Sequence, residues 1–338
     1  MSYALIIIFS FTSFFFLNYF FRRYNILIDK KTLPHKSFVS NENVPVIGGF
    51  IIVFYLLIFN HNYKFIFFSL LLFLIGILSD LFILKKPSKK FILQCFIVLF
   101  FLVFYDLKIL STKVFFLDYF IENKIFSTLF TLFCLLVLIN GSNFIDGINT
   151  LLCGYYLLVL IVIIYICSNN FIIYNISELK ELLIVLLIIY SFNFFSKLYL
   201  GDSGAFLISF VVGYYLIDIA NNHPLISPMF IVLLLWYPAF ENFFSIFRKL
   251  STKLQPSKPD NFHLHQLLFN FLKKKINKSK DFINTLTGNI INLYNFLIFY
   301  IGIQFFNYTK YLIILIFINI FLYLLIYFFL KTNVKKNI

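Results

Sequence analysis

Apolar runs close to twenty residues long recur from one end of this sequence to the other, at 3–21, 46–60, 65–84, 91–105, 126–140, 151–167, 180–195, 204–220, 225–246, 286–307 and 311–330. A helix of about twenty residues rises ~30 Å, the thickness of the hydrocarbon core of a bilayer. With 61% of its residues hydrophobic and only 12% charged, the chain carries more apolar material than a soluble core of 338 residues needs. The expected fold is all-α: a multi-spanning helical membrane protein with about eleven transmembrane helices, forming a single integral-membrane domain over 1–338. The apolar segment 113–121 is too short to span and is expected at the interface.

Charge distribution then orients the bundle. The first run has no basic residue before it, is followed by Arg22 and Arg23, and leads into no small-x-small cleavage pattern. An uncleaved first helix with its N-terminus outside is the expectation. In that orientation 22 of the 28 Lys and Arg residues fall in loops after odd-numbered spans or in the C-terminal tail, which places the C-terminus in the cytoplasm. The net charge of +14 is thus topological, and its residues form no nucleic-acid-reading motif. Cys95, Cys134, Cys153 and Cys167 stand singly in apolar runs, without metal-binding or CxxC spacing, and are expected as buried free thiols.

This topology collects the polar segments on one face: 29–35, Asp80, the island 140–150, Gly201-Asp202-Ser203-Gly204, and the stretch 256–265 within the long cytoplasmic loop 247–285. A carboxylate at a helix end beside Gly or Ser suits Mg²⁺ and phosphate, because oxygen ligands hold the hard cation while free N–H groups face phosphate oxygens. Plainer roles compete at each position. The island can be an interhelical turn, and Asp202 a helix N-cap. Lys85, Lys86, Lys89 and Lys90 can be interfacial lysines, and His263 and His265 part of a solvated loop. At i and i+2 these two histidines do not share a helical face, which argues against a helical two-His zinc site. An acid at the end of a span needs a partner, however, and an N-cap does not need Gly on both sides. His61 and His223 lie on the other side and are taken as structural.

The order of these segments resembles the polyprenyl-phosphate N-acetylhexosamine-1-phosphate transferases, over about residues 29–268. The resemblance rests on Pro45-Val-Ile-Gly48-Gly49, Ser79-Asp80 with Lys90 and Gln94, Asn143-Phe-Ile-Asp146-Gly147, Gly201-Asp202-Ser203-Gly204, and Pro259-Asp260 with His263-Leu264-His265. Ser79 stands where the family has the first acid of a pair, and Asn149 and Thr150 replace an Asp-Gly. Lys258 and Gln266 stand where histidines often occur.

The resemblance implies a Mg-dependent enzyme, with Mn²⁺ an alternative cofactor, in the bacterial cytoplasmic membrane with its active face inward. It would transfer a sugar-1-phosphate from a UDP-N-acetylhexosamine to undecaprenyl phosphate, releasing UMP and initiating O-antigen or other envelope glycan synthesis. It implies Asp80, Asp146 and Asp202 as catalytic residues, with Asp202 and Asp146 as metal ligands. Substrate contacts would come from Asn143, Lys90, Lys197, Asp260, His263 and His265. A homodimer is left open. The alternatives are the phospho-N-acetylmuramoyl-pentapeptide transferase of peptidoglycan synthesis and a transporter or lipid flippase. A transporter calls for ionisable residues near the midplane, whereas these acids fall at span ends.

Overall fold

The computed structural model describes residues 3–28, 44–169, 174–252 and 260–335, which are predominantly helical and contain no strand. In chain order the helices are α1 (Tyr3–Tyr24), α2 (Gly48–Phe59), α3 (Tyr63–Asp80), α4 (Pro87–Tyr105), α5 (Phe115–Ile121), α6 (Lys124–Ile145), α7 (Leu151–Asn169), α8 (Ser177–Phe194), α9 (Gly201–Asn222), α10 (Pro228–Leu234), α11 (Trp236–Ser251), α12 (Leu264–Lys275), α13 (Lys280–Ile303) and α14 (Thr309–Lys335).

Each of the eleven expected segments is helical, the one at 225–246 as the pair α10–α11. Among the described residues eight helices are long and apolar enough to cross a bilayer, and the α10–α11 pair, bent by 69°, makes up to nine. The shortfall from eleven has two sources. Helix α2 has only 12 residues, and α8 opens with Glu178, Lys180 and Glu181. The chain is an all-α multi-pass membrane protein. Helix α5 occupies the short segment expected at the interface, and all four cysteines are free, Cys153 and Cys167 buried and Cys95 and Cys134 half-buried.

Helix α9 is the axis of the bundle and packs against α2, α3 and α6. Its approach to α3 is close because position 76 carries no side chain: a Cβ on Gly76 would overlap the backbone of Ser203. Small residues at such crossings let two helices gain dispersion contact without a hydrophobic drive from water.

The bend between α10 and α11 has a local cause. Pro238 has no N–H to give the carbonyl of Leu234 four residues earlier, and its ring disfavours a straight continuation. That carbonyl instead accepts the Tyr155 hydroxyl of α7 at 2.8 Å. Bending α11 places Glu241 beside the start of α12 and Arg248 beside Asp260, so the stretch 247–285, expected as a loop, contains a helix.

At one end of the bundle, the chain entering α2 is stitched to two neighbours. Val46 N–H donates to Leu27 at 2.9 Å, Tyr199 N–H to Pro45 at 3.0 Å, and Gly48 N–H to Tyr199 at 3.0 Å. The exit of α1, the Pro45–Gly49 segment and the entry to α9 therefore form one small ladder. The expected polar segment 29–35, with Lys258 and Pro259, lies outside the described residues.

Candidate active site

The first turn of α9 carries the densest chemistry at this end. Its N-cap residue, Leu200, has no side chain that could accept the exposed N–H groups of the turn. Asp80, the last residue of α3, supplies the missing acceptors. One carboxylate oxygen takes Asp202 N–H at 2.9 Å; the other takes Ser203 N–H at 3.1 Å and the Ser203 hydroxyl at 2.7 Å.

The N-cap role considered for Asp202 therefore belongs to Asp80, reaching across from another helix. Gly201 makes room for it. Its φ of +70° is the left-handed conformation, and a Cβ there would lie 2.8 and 2.9 Å from the Asp80 oxygens. Relieved of capping, the Asp202 carboxylate is half-exposed, held by Lys90 at 3.0 Å and by the Ser79 hydroxyl.

Lys90 lies in the first turns of α4, and Gln94 follows one turn later on the same face. Gln94 accepts the Asn140 side-chain amide of α6 at 3.1 Å. Helix α4 thus joins the acid cluster to the end of α6, where Asn143 and Asp146 sit half-buried and Asn143 C=O accepts Asp146 N–H at 3.3 Å.

The other side of the α6–α7 turn meets the histidines. The Phe144 and His263 rings are 5.4 Å apart, and the His263 and His265 rings stack at 5.6 Å. A Cβ on Gly147 would fall 2.6 Å from His265 Nε2, so this turn fits directly onto the buried imidazole. Among the described residues neither His265 nitrogen has a hydrogen-bond partner, and burial, helped by neighbouring His263, pushes its pKa down to about 3. His265 is a neutral ring in the protein interior.

His263 is held differently. Its Nδ1 lies 2.8 Å from Glu241 Oε1, and its Nε2 is 3.6 Å from Asp260 Oδ1. Asp260 in turn is gripped by both terminal nitrogens of Arg248, at 2.6 and 3.2 Å. Burial acts to raise the Asp260 pKa, but the Arg248 guanidinium outweighs it and holds the carboxyl below its usual range.

Residues 62–220 match the family described as glycosyl transferase family 4. A Thermotoga maritima protein named undecaprenyl-phosphate alpha-N-acetylglucosaminyl 1-phosphate transferase is 29% identical over 248 residues, covering 71% of this chain and 72% of the relative. Over residues 62–220 the chain is similar to glycosyl transferase family 4.

Of the site residues expected from the sequence, Asp80, Asp202 and Lys90 meet directly. Asn143 and Asp146 share one turn, and Asp260, His263 and His265 form a second group beside it. Lys197 is exposed, with its ammonium 5.9 Å from the centre of the Phe195 ring.

Asn149, which replaces an acid of the family motif, is buried. Its N–H donates to Asn284 Oδ1 and its side-chain amide to Ser196 Oγ, both at 2.6 Å. Thr150, at φ 65°, donates its N–H to Asn193 Oδ1 at 2.6 Å, and its carbonyl accepts from Asn292 at 2.9 Å. These amides tie the turn to α8 and α13. The sequence reading missed Glu241, Arg248, Tyr323, Asn193 and Asn284. Glu241 had a signal, as a lone acid inside an apolar run.

Among the described residues no group of three or more His, Cys, Asp or Glu side chains could hold a metal ion. A closed protein cage is therefore not what this site provides there. A half-exposed carboxylate such as Asp202 suits the other way of binding Mg²⁺, in which one or two carboxylates share the ion with water and substrate phosphates.

Proposed function

We propose that this protein transfers a sugar-1-phosphate from a UDP-N-acetylhexosamine to undecaprenyl phosphate at the cytoplasmic face of a bacterial inner membrane, initiating synthesis of an envelope glycan such as O-antigen. An oxygen of the acceptor phosphate would bond to the sugar-bearing phosphorus of the donor, the bond from that phosphorus to UMP would break, and UMP would leave. The observation that carries this reading is Asp202: a carboxylate freed from capping its own helix, half-exposed, at a helix start with Lys90 beside it. The name of the Thermotoga maritima relative supports the acceptor and makes N-acetylglucosamine the first donor sugar to test. The bias of Lys and Arg towards one set of loops supports the cytoplasmic face.

Two anionic substrates repel each other, so the site must supply positive charge as they approach. Magnesium, held by Asp202 and Asp146, would offset phosphate charge. Lys90 adds an ammonium at the same place. Asp80 acts by fixing the first turn of α9, and so the position of Asp202, because both its oxygens are already bonded there. Asn143, Lys197, Asp260 and His263 are the proposed donor contacts. His265, buried under Gly147, supports the turn that carries Asn143 and Asp146.

The test uses the purified full chain in detergent with undecaprenyl phosphate, Mg²⁺ and a panel of radiolabelled UDP-sugars. Lipid-linked product and UMP are expected with UDP-N-acetylglucosamine or a close relative, with a loss of at least about tenfold in Asp202→Asn. No product from any UDP-N-acetylhexosamine would overturn the reading.

A further inference from the structure

We infer that Glu241 of α11, backed by Tyr323 of α14, is a positioning residue that keeps the proton of His263 on Nδ1 and so leaves the opposite nitrogen, Nε2, which lies 3.6 Å from Asp260 Oδ1, as the one that meets substrate. The inference rests on the transferase reading above. It goes further in naming what prepares the histidine, and neither Glu241 nor Tyr323 lies in the stretch 62–220 that matches the family.

The geometry is specific. The Glu241 side chain is 1% exposed, and its two oxygens face different elements. Oε1 meets His263 Nδ1 at 2.8 Å and Leu264 N–H at 3.4 Å, and Oε2 accepts the Tyr323 hydroxyl at 2.6 Å. A carboxylate only accepts hydrogen bonds, so the imidazole nitrogen facing it must carry a proton. That fixes the tautomer at Nδ1 and leaves Nε2 to interact elsewhere.

Holding α12 in place would not by itself call for this carboxylate. Replacing a buried ion pair with well-packed apolar side chains is often neutral or stabilising, so a carboxylate with two directed bonds points to a task beyond packing. Tyr323 matters because it fixes Oε2, and with it the plane in which Oε1 can accept.

The charged and titratable groups around this ring come from several elements. Glu241 and Arg248 belong to α11, Asp260 to the segment before α12, His265 to α12 and Tyr323 to α14. Phe144, at the end of α6, is the apolar contact that joins the ring to the Asn143–Asp146 turn. The orientation of one imidazole is thereby tied to the C-terminal helix.

The experiment combines kinetics with a direct reading of the ring on the full chain in detergent. Glu241→Gln should lower kcat by about 10- to 100-fold, the usual loss when the outer partner of a working histidine is removed, with KM for the UDP-sugar within about twofold. Glu241→Asp should recover part of kcat, and Tyr323→Phe should show a smaller loss. With ¹⁵N-labelled histidine, the His263 Nδ1 resonance should report a protonated nitrogen in the wild type and lose that character in Glu241→Gln. Unchanged kcat and an unchanged Nδ1 resonance in Glu241→Gln would overturn the inference. So would a loss of activity that only tracks the amount of folded protein. If the wild type transfers no sugar phosphate yet its Nδ1 resonance responds to Glu241→Gln, the transferase reading falls while the Glu241–His263 pairing stands.

Discussion

Asp80 is bonded to Ser203 twice, through the backbone N–H at 3.1 Å and the hydroxyl at 2.7 Å, although the two residues are 123 positions apart. The end of α3 thus caps the beginning of α9. Replacing Asp80 with Asn keeps one acceptor but turns an N–H group towards N–H donors. We expect Asp80→Asn to cost about 1–3 kcal/mol of stability, the range for a lost cap and a buried donor left without a partner. Thermal unfolding of the purified protein checks this. An unchanged Tm with abolished transfer would instead give Asp80 a direct role in chemistry.

Gly201 is the companion to that cap. Alanine at this position would take a left-handed conformation that costs roughly 1–2 kcal/mol, and its Cβ would press on both Asp80 oxygens and on Val46. Gly201→Ala should therefore lower both Tm and transfer. The strain displaces the turn that carries Asp202, so a double variant with Asp80→Asn should lose less than the sum of the two single losses. Full additivity would show that Gly201 and Asp80 act separately.

Ser79 gives its hydroxyl to the same Asp202 oxygen that Lys90 holds at 3.0 Å. Members of the family, as the motif resemblance has it, carry an acid at this position. Ser79→Asp would set a second carboxylate against Asp202 with a single ammonium nearby, and like charges at such range repel. We expect the variant to have a lower Tm than the wild type in chelator. It should also gain more Tm on adding Mg²⁺, because a ligand that binds only the folded state stabilises it, by about 2.7 kcal/mol at 100 times its Kd. Equal Mg²⁺-dependent gains in the two proteins would place the ion away from this pair.

Local physics made much of this architecture legible in the sequence. A span must be long and apolar whatever it packs against, so α1, α3, α4, α6, α7, α9, α13 and α14 could be read directly. The acids at Asp80, Asp146 and Asp202 stood out because charge at the edge of a span demands a partner. The identity of the partners did not stand out. That Asp80 caps α9, leaving Asp202 exposed, depends on a contact between positions 80 and 203 that no local pattern encodes. The same holds for Asn149, which looked like a degraded motif residue and is a buried amide donating to Ser196. Helix α12 was missed for another reason: it is only 12 residues long and its last turn is Lys273, Lys274 and Lys275, so it reads as a charged loop until α13 and α14 are seen to cover it.

His265 makes the stability of this protein sensitive to mild acid. Folded, its pKa is pushed down to about 3 by burial, whereas an unfolded histidine titrates near 6.5. A depressed folded-state value means that the neutral ring's contribution is fully present above pH 6.5. It is lost progressively as pH falls towards about 3, because the unfolded chain takes up a proton that the folded chain refuses. The slope is about 1.4 kcal/mol per pH unit within that window. Between pH 6.5 and 5 most carboxylates remain ionised, which isolates the histidine contribution. His265→Leu removes the titrating group while keeping an apolar side chain at the buried site. Its Tm should fall less steeply than that of the wild type between pH 6.5 and 5, and parallel curves would show that the ring is reached by water or by a proton donor. Detergent-purified protein followed by intrinsic fluorescence suffices, since the readout does not depend on turnover.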